Sequence, residues 1–216
     1  MTAETLSEFF YYGLALSAWK RFEAAHWALR VNPSSGNLHP TEAYVLLPAM
    51  LGLGSEAGVF HYAPREHGLE RRATIEAPIW SQLAQSFALQ NEGFLLGLSS
   101  IPWRESWKYG ERAWRYCQHD LGHALAAVRI AASLLGWSAV ALPTVDDATL
   151  AALLGLDRGP DFVPDEMEVP ELLIAVHARS GELAAIVESP AGTLPGAWRE
   201  AVHWQGRANT LSRDHH

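Results

Sequence analysis

The part of the chain with the greatest capacity for chemistry is residues 30–47, which read RVNPSSGNLHPTEAYVLL. Between Pro33 and Pro40 almost every residue is a turn former or carries a small polar side chain, and a run typical of a buried strand follows. We call residues 33–40 the polar loop. Its many hydrogen-bonding groups and few side-chain atoms leave room for a ligand at the start of a strand.

The polar loop offers donors and acceptors of several kinds. Gly36 accepts a positive φ angle, so successive backbone N–H groups can point inward and form a nest for an anion or a carbonyl oxygen. Ser34 and Ser35 add hydroxyls, and the Asn37 amide can donate and accept at the mixed O/N edge of a heterocycle. Arg30 can add a charge-assisted contact to a phosphate. A structural turn is the alternative, but a turn needs none of these groups, so the sequence favours a ligand-binding loop.

Cations and aromatic rings crowd the segment 107–116, which reads WKYGERAWRY. Lys108 and Tyr109 can present a donor pair, or an acid/base pair, at the edge of a pocket. Both side chains have high unperturbed pKa values, so either needs a tuned environment to act as a base at neutral pH. Cation–π packing on a surface is the alternative reading of the same residues, and the sequence leaves both open.

A zinc-like spacing occurs at His119 and His123, which lie four residues apart on one face of a predicted helix. Asp120 follows the first histidine, but aspartate is one methylene shorter than the glutamate that usually serves as general base. No third ligand is evident. We therefore predict no metal site and interpret the histidines and Asp120 as structural groups of a core helix, with Gly122 allowing close packing.

Hydrophobic periodicity predicts the elements that position these residues. Helices are predicted at residues 6–19, 77–90 and 111–137. Asp146 and Asp147 can cap a further helix that runs to about Leu154 and ends at Gly155. Strands are predicted at residues 43–47, 59–62, 93–101, 138–142, 172–177 and 183–187, and residues 64–72, PREHGLERR, are predicted to form a charged turn. One face of the long helix is predicted to be buried through Trp114, Cys117, Leu121, Leu125, Val128, Ala132 and Leu135. Helices and strands interleave without regular alternation, which indicates an α+β fold.

Composition narrows the class of protein. The chain has 216 residues, 49% of them hydrophobic, and a formal net charge of −8. That charge argues against non-specific binding to nucleic acid. Cys117 is the single cysteine, which rules out an intrachain disulfide and fits a reducing cytoplasm. We find neither a signal-peptide pattern nor a membrane-spanning run, so we expect a cytoplasmic protein.

Residues 33–44, PSSGNLHPTEAY, resemble the flavin-binding segment of the nitroreductase superfamily. The similarity is greatest to the SagB-type dehydrogenases, the azoline-oxidising branch, and to their tandem-domain relatives. Further matching segments follow in the family's order and spacing at residues 58–70, 107–116, 120–123 and 135–142. The resemblance runs from about residue 9 to about residue 178.

The resemblance implies a mixed, mainly antiparallel sheet flanked by helices, with a long central helix and usually a homodimer that binds FMN at its interface. Residues 1–188 would form this nitroreductase-like FMN domain. Residues 189–216 would be a C-terminal extension, or a linker leading to a second nitroreductase-like domain. The arginine-rich segment with which family members grip the FMN phosphate near their N-terminus is missing from residues 1–20. Arg207 and Arg213 are the only candidates for the basic contacts expected near the C-terminus.

The resemblance also assigns site residues. The Lys108–Tyr109 pair matches the pair implicated in removing a substrate proton in the azoline oxidases. The stretch whose backbone usually faces the isoalloxazine matches Leu142, Pro143 and Thr144. Contacts to the flavin or its phosphate are implied for Arg30, Pro33, Ser34, Ser35, Gly36 and Asn37.

Two functions are consistent with these residues. In the first, the protein is an FMN-dependent oxidoreductase that transfers hydride to or from flavin N5, and its substrate is an azoline-type peptide heterocycle, a nitro compound or a quinone. In the second, it is a non-catalytic nitroreductase-like domain that acts as a pairing or peptide-binding partner. Retention of FMN through purification would separate the two.

Overall fold

The computed structural model describes residues 1–89, 93–178 and 192–206. Within these ranges the α-helices are α1 (Ala3–Gly13), α2 (Ala77–Ser86), α3 (Trp103–Tyr109), α4 (Ala113–Leu134), α5 (Asp147–Leu154) and α6 (Trp198–Ala201). The strands are β1 (Leu16–Phe22), β2 (Ala25–Arg30), β3 (Thr41–Leu47), β4 (Ala57–Ala63), β5 (Gly68–Ile75), β6 (Gly93–Ser100), β7 (Ser138–Ala141), β8 (Val169–His177) and β9 (Val202–Trp204).

Seven of these strands form one sheet in the order β7-β8-β6-β3-β4-β5-β9. Each neighbouring pair is antiparallel. β1 and β2 form a separate two-stranded hairpin. The predicted α+β class, with a mainly antiparallel sheet and a long helix, is therefore confirmed.

The central strand β3 explains why helices cover both faces of the sheet. All seven of its residues are buried, and successive side chains point to opposite faces. Tyr44 and Leu46 join the core built with α2, α5 and α6. Val45 and Leu47 join the second core, built with α1 and α4. A strand buried on both faces reads as the continuous apolar run that identified it in the sequence.

The predicted buried face of the long helix α4 is confirmed in part, since Cys117, Val128 and Ala132 are buried. Trp114, expected in the core, is 73% exposed, and His119 and His123 are also exposed. The buried residues are Ala113, Cys117, Asp120, Ala124, Val128, Ala131 and Ala132. Mostly small residues face inward because α1 approaches closely: a Cβ added to Gly13 would lie 3.5 Å from the Ala131 Cβ. The leucines of the predicted stripe lie at the edge of this contact, half-buried.

Gly122 and the two histidines therefore do not have the packing roles that the sequence suggested. A Cβ added to Gly122 would meet nothing within 4 Å, so this glycine is not needed for close packing. Of the group proposed as core residues, only Asp120 is buried, at 1% exposure.

Several element boundaries also differ from the predictions. The helix predicted at 6–19 ends at Gly13, and the residues that follow form β1 because they pair with β2. The segment following His67, interpreted as a charged turn, continues into β5, which pairs with β4 on one side and β9 on the other. The strand predicted at 183–187 lies outside the described residues, as do Arg207 and Arg213.

The described part of the segment 189–216 contributes to the same domain. Trp198 is 3% exposed and packs into the core shared with α2 and α5. β9 extends the sheet by pairing with β5. Within the ranges that the structure describes, none of the helices is long and apolar enough to span a bilayer.

Candidate functional site

Three of the segments predicted to carry function lie at the same end of the sheet. The polar loop leads into β3, α3 follows β6, and residues 142–144 follow β7. Thr41 pairs with Ser100, and Ser100 pairs with Val169. Because neighbouring strands are antiparallel, the start of β3 and the ends of β6 and β7 lie at the same end of the sheet.

The polar loop contains a tight turn with left-handed backbone angles. Gly36 has a φ of 62°, as the sequence predicted, and Asn37 has a φ of 61°. The Asn37 side chain donates from Nδ2 to the Ala28 carbonyl at 2.9 Å, and its Oδ1 lies 2.9 Å from His39 Nε2. The Asn37 amide thus ties the polar loop to β2.

The serines of the polar loop bind an internal carboxylate. Ser34 Oγ donates to Asp120 Oδ2 at 2.6 Å. The Ser35 N–H and Ser35 Oγ both donate to Asp120 Oδ1, each at 3.0 Å. The groups that the sequence suggested as an anion nest therefore hold a carboxylate from α4, and contact between these serines and FMN stays a prediction. The contact agrees with the interpretation of Asp120 as a structural group of a core helix.

Lys108 and Tyr109 reach the polar loop at Gly36. A Cβ built on Gly36 would lie 2.8 Å from Lys108 Nζ and would overlap Tyr109 Oη. Lys108 Nζ lies 5.3 Å from the centre of the Tyr109 ring. Among the described residues, neither the amine nor the phenol oxygen has a hydrogen-bond partner. The structure thus brings an unengaged pair of donors, one a potential base, to the glycine of the loop.

The third segment, residues 142–144, lies at the same end of the sheet, next to the outer strand β7. Leu142 is half-buried, and its N–H donates to the Leu173 carbonyl at 2.8 Å, which extends the pairing of β7 with β8. Pro143 and Thr144 are exposed. Two strands, β8 and β6, separate β7 from β3. Residues 142–144 therefore lie at the same end of the sheet as the polar loop but are not adjacent to it.

A buried cluster of charged residues beneath the loop was missed by sequence reasoning. Glu42, 2% exposed, forms ion pairs with Arg104 and, at 3.7 Å, with Arg30. Its other oxygen accepts from His61 Nε2 at 2.8 Å, and His61 Nδ1 donates to the exposed Glu70. The signal in the sequence was a charged residue inside each of two apolar strands, TEAYVLL and AGVFHYA.

The charges in this cluster shift one another's pKa values. Burial by itself would raise the pKa of Glu42, but Arg104, the hydrogen bond from His61 and Arg30 outweigh it and hold that pKa well below its usual range. Burial would lower the pKa of His61, but its hydrogen bonds to Glu42 and Glu70 raise it to about 9. Glu42 is thus held as an anion and His61 as a cation at neutral pH.

Arg30, predicted to contact the flavin phosphate, belongs to this buried cluster. Its side chain is 3% exposed, and Nη1 donates to the Thr41 carbonyl at 3.0 Å. Its contact with a phosphate stays a prediction. For metals, no group of three or more His, Cys, Asp or Glu in the described ranges is arranged to hold an ion.

Comparison with known proteins identifies relatives of this chain. The profile described as "Nitroreductase family" matches residues 20–176. The chain is 32% identical over 131 residues to the trifolitoxin-processing protein TfxB of Rhizobium leguminosarum bv. trifolii, a match covering 58% of this chain and 35% of that protein. It is 26% identical over 132 residues to MJ1384 of Methanocaldococcus jannaschii, which is named as a nitroreductase; that match covers 59% of this chain and 65% of the relative.

Solved structures show the same fold. A nitroreductase-type protein from Anabaena variabilis superposes with a TM-score of 0.66 at 21% identity, over 96% of this chain and 44% of that one. A chain of the E. coli microcin synthetase complex McbBCD, with truncated pro-MccB17 bound, superposes with a TM-score of 0.63 at 18% identity, over 82% of this chain and 64% of that one. The chain therefore spans less than two thirds of these relatives.

Proposed function

Because this chain belongs to the nitroreductase family, we propose that it is an FMN-dependent oxidoreductase of the SagB type that oxidises azoline-type heterocycles in a modified peptide. The observation that carries the proposal is the convergence of Lys108 Nζ and Tyr109 Oη on Gly36, inside the segment that resembles the family's flavin-binding loop. The similarity to a trifolitoxin-processing protein supports a peptide substrate. Nitro compounds and quinones are the other substrates that we propose to test.

The residues at the sheet edge fit a flavin ring in one respect. The space that a side chain at Gly36 would fill holds Lys108 Nζ and Tyr109 Oη, two donors without a hydrogen-bond partner among the described residues, and such donors suit the carbonyl oxygens of a flavin ring. The polar loop and the backbone of residues 142–144 would hold FMN there. When bound, FMN supplies hydride transfer at N5.

Lys108 and Tyr109 would take part in removing a proton from the substrate. Oxidation of an azoline removes a hydride and a proton, and the proton needs a base within reach of the carbon that loses it. Lys108 is the stronger base of the pair once its amine is neutral, and Tyr109 Oη can orient the substrate. Neither group has to break an existing hydrogen bond with a described residue to do so.

A non-catalytic role is the second candidate, and one observation favours it. The serine hydroxyls and the Ser35 N–H are already engaged by Asp120, and the Arg30 guanidinium is buried with Glu42. A loop whose polar groups are used inside the fold has fewer left for a phosphate. The protein would then serve as a pairing or peptide-binding partner.

The two candidates differ in FMN binding and in the role of Lys108. We expect the protein to bind FMN, measured by quenching of flavin fluorescence, and Lys108→Ala to leave the dissociation constant within about threefold. Turnover of an azoline-containing peptide should fall by about 10²–10⁴, the usual contribution of a general base. Arg112→Ala, which removes an exposed cation four residues away, is the control and should change neither. Absence of FMN binding by the protein would contradict the enzymatic proposal.

We also propose that the hairpin of β1 and β2 packs against a second copy of this chain or against a second nitroreductase-like domain. Trp19, Phe22 and Trp27 are 54%, 68% and 37% exposed, and a two-stranded hairpin is marginally stable alone. The chain by itself in solution should form a dimer whose interface buries more than about 2,000 Å² of accessible surface. Light scattering that gives a monomer mass at micromolar concentration would rule out the homodimer and leave the second domain as the partner.

A further inference from the structure

A small cavity lies between the two ends of the polar loop. It is lined by Asn32, the residue just before the loop, by Thr41, the first residue of β3, and by Arg30 at the end of β2. The space open to the centre of a water molecule is about 10 Å³, which is about the room that one water needs. We call this space the loop cavity.

These three residues bring buried polar atoms that lack a partner among the described residues. The atoms are Arg30 Nε and Nη2, Asn32 Oδ1 and Thr41 Oγ1, and the residues are 6%, 3% and 4% exposed. Arg30 Nη2 lies 3.7 Å from Glu42 Oε1, which is too far for a hydrogen bond. Because buried donors and acceptors are rarely left unpaired, these four atoms indicate a common partner.

The other polar side chains of the loop cavity are already engaged. Glu42 accepts hydrogen bonds from Arg104 and from His61. Tyr62 Oη lies 2.8 Å from His67 Nδ1. The demand for a further partner therefore comes from the residues at the two ends of the polar loop and from the arginine between them.

The unpartnered atoms match the hydrogen-bonding groups of a water molecule. Nε–H and Nη2–H lie on one edge of the planar Arg30 guanidinium, so one small acceptor can receive both. The two hydrogens of a water can then be donated to Asn32 Oδ1 and Thr41 Oγ1, which gives four bonds, within the usual range for buried water. An anion would leave Asn32 Oδ1 unpaired and would be repelled by the Glu42 carboxylate, which also lines the cavity.

We propose that the loop cavity binds one internal water that joins the two ends of the polar loop. The side-chain oxygens of Asn32 and Thr41 do not bond each other, so the water is the link between them, and Arg30 holds it from the side. It would keep the loop closed beneath Gly36, and it would occupy the guanidinium edge that a phosphate would otherwise bind. The water would be present whether or not the protein binds FMN.

A high-resolution crystal structure of the parent protein tests the occupant directly. We expect one water at about 2.7–3.2 Å from Arg30 Nε, Asn32 Oδ1 and Thr41 Oγ1. Crystals grown with sodium bromide and inorganic phosphate should show neither anion in the loop cavity. An empty cavity, or an anomalous bromide peak or a phosphate within it, would overturn the proposal.

A double-mutant cycle tests in solution whether Asn32 and Thr41 share a partner. Asn32→Leu and Thr41→Val should each lower the urea concentration at the midpoint of unfolding by about 0.5–1 M. Together they should lower it by clearly less than the sum, because the first substitution already releases the water. Thr74→Val, at a β5 threonine outside the cavity lining, is the control and should be additive with Asn32→Leu. Additive shifts for Asn32→Leu and Thr41→Val would mean that no partner is shared, and if these variants fail to fold the crystal structure of the parent decides.

Amide hydrogen exchange tests whether the water holds the polar loop closed. The Asn37 N–H donates to the Ser34 carbonyl and the His39 N–H to Ser34 Oγ, so exchange at both amides reports opening of the loop. Exchange should be about tenfold faster in Thr41→Val, the effect of losing one buried hydrogen bond, and unchanged in Thr74→Val. Equal exchange in the parent and Thr41→Val would show that the loop does not depend on the water, and the proposed link would be wrong.

Discussion

Replacing Gly36 with alanine should lower turnover about a hundredfold while destabilising the fold by only about 1 kcal/mol. The backbone cost is that of a left-handed residue with a side chain, since Gly36 has a φ of 62°. The added Cβ would overlap Tyr109 Oη and lie 2.8 Å from Lys108 Nζ. Both are ends of flexible side chains that can move aside, and a misplacement of about 1 Å in a catalytic group costs about 10²-fold in rate.

Gly136→Ala is the control for this prediction. Gly136 also has a positive φ, 71°, but a Cβ there would meet nothing within 4 Å. The two variants should unfold at similar denaturant concentrations, and only Gly36→Ala should lose turnover. Gly36→Val should be more severely impaired, because a β-branched residue resists a positive φ. Equal turnover of Gly36→Ala and Gly136→Ala would show that the polar loop is only a turn.

Replacing Glu42 with glutamine should destabilise the protein by about 3–5 kcal/mol, the usual effect of breaking a buried ion pair by removing one partner. Arg30, Arg104 and the protonated His61 would then share the buried cluster without the central anion. Urea unfolding at pH 7 measures the change. Glu111→Gln, at an exposed position, should stay within about 0.5 kcal/mol of the parent.

The same substitution predicts a pH dependence. The pKa of Glu42 is depressed in the folded state, so its contribution to stability is present above the ordinary carboxyl range and is lost as the pH falls toward the folded pKa. The difference in stability between the parent and Glu42→Gln should therefore narrow below about pH 4.5. A difference that stays constant down to pH 3 would show that Glu42 is not held as an anion by its three partners.

Elements whose boundaries depend on their own residues were predicted from the sequence. Asp146, one of the two predicted caps, accepts from the Thr149 N–H at the start of α5, and Gly155 ends that helix with a φ of 75°, as predicted. The strand β3 was evident from its unbroken apolar run. Caps, left-handed glycines and long apolar runs act within a few residues, so they can be identified without a partner.

Elements that depend on a partner were predicted wrongly or missed. β1 is extended because it pairs with β2, and nothing in its own apolar spacing distinguished it from the end of a helix. β5 carries Arg71 and Arg72 and was interpreted as a charged turn. It is a strand because it fills the gap between β4 and β9. In α4 the predicted Cys117, Val128 and Ala132 are buried, but the close approach of α1 also turns small residues such as Ala131 inward, which the leucine pattern did not show.

By itself the sequence determined the α+β class, the family resemblance, the polar loop and the positive φ of Gly36, because each depends on local backbone preference or on the order of motifs along the chain. Only the tertiary structure decided that Lys108 and Tyr109 meet Gly36, that Asp120 engages the serines of the loop, and that Glu42 gathers three cations. These contacts join residues far apart in the sequence. Their positions are set by strand register and by the distance at which helices pack, and the spacing of residues within one segment determines neither of these.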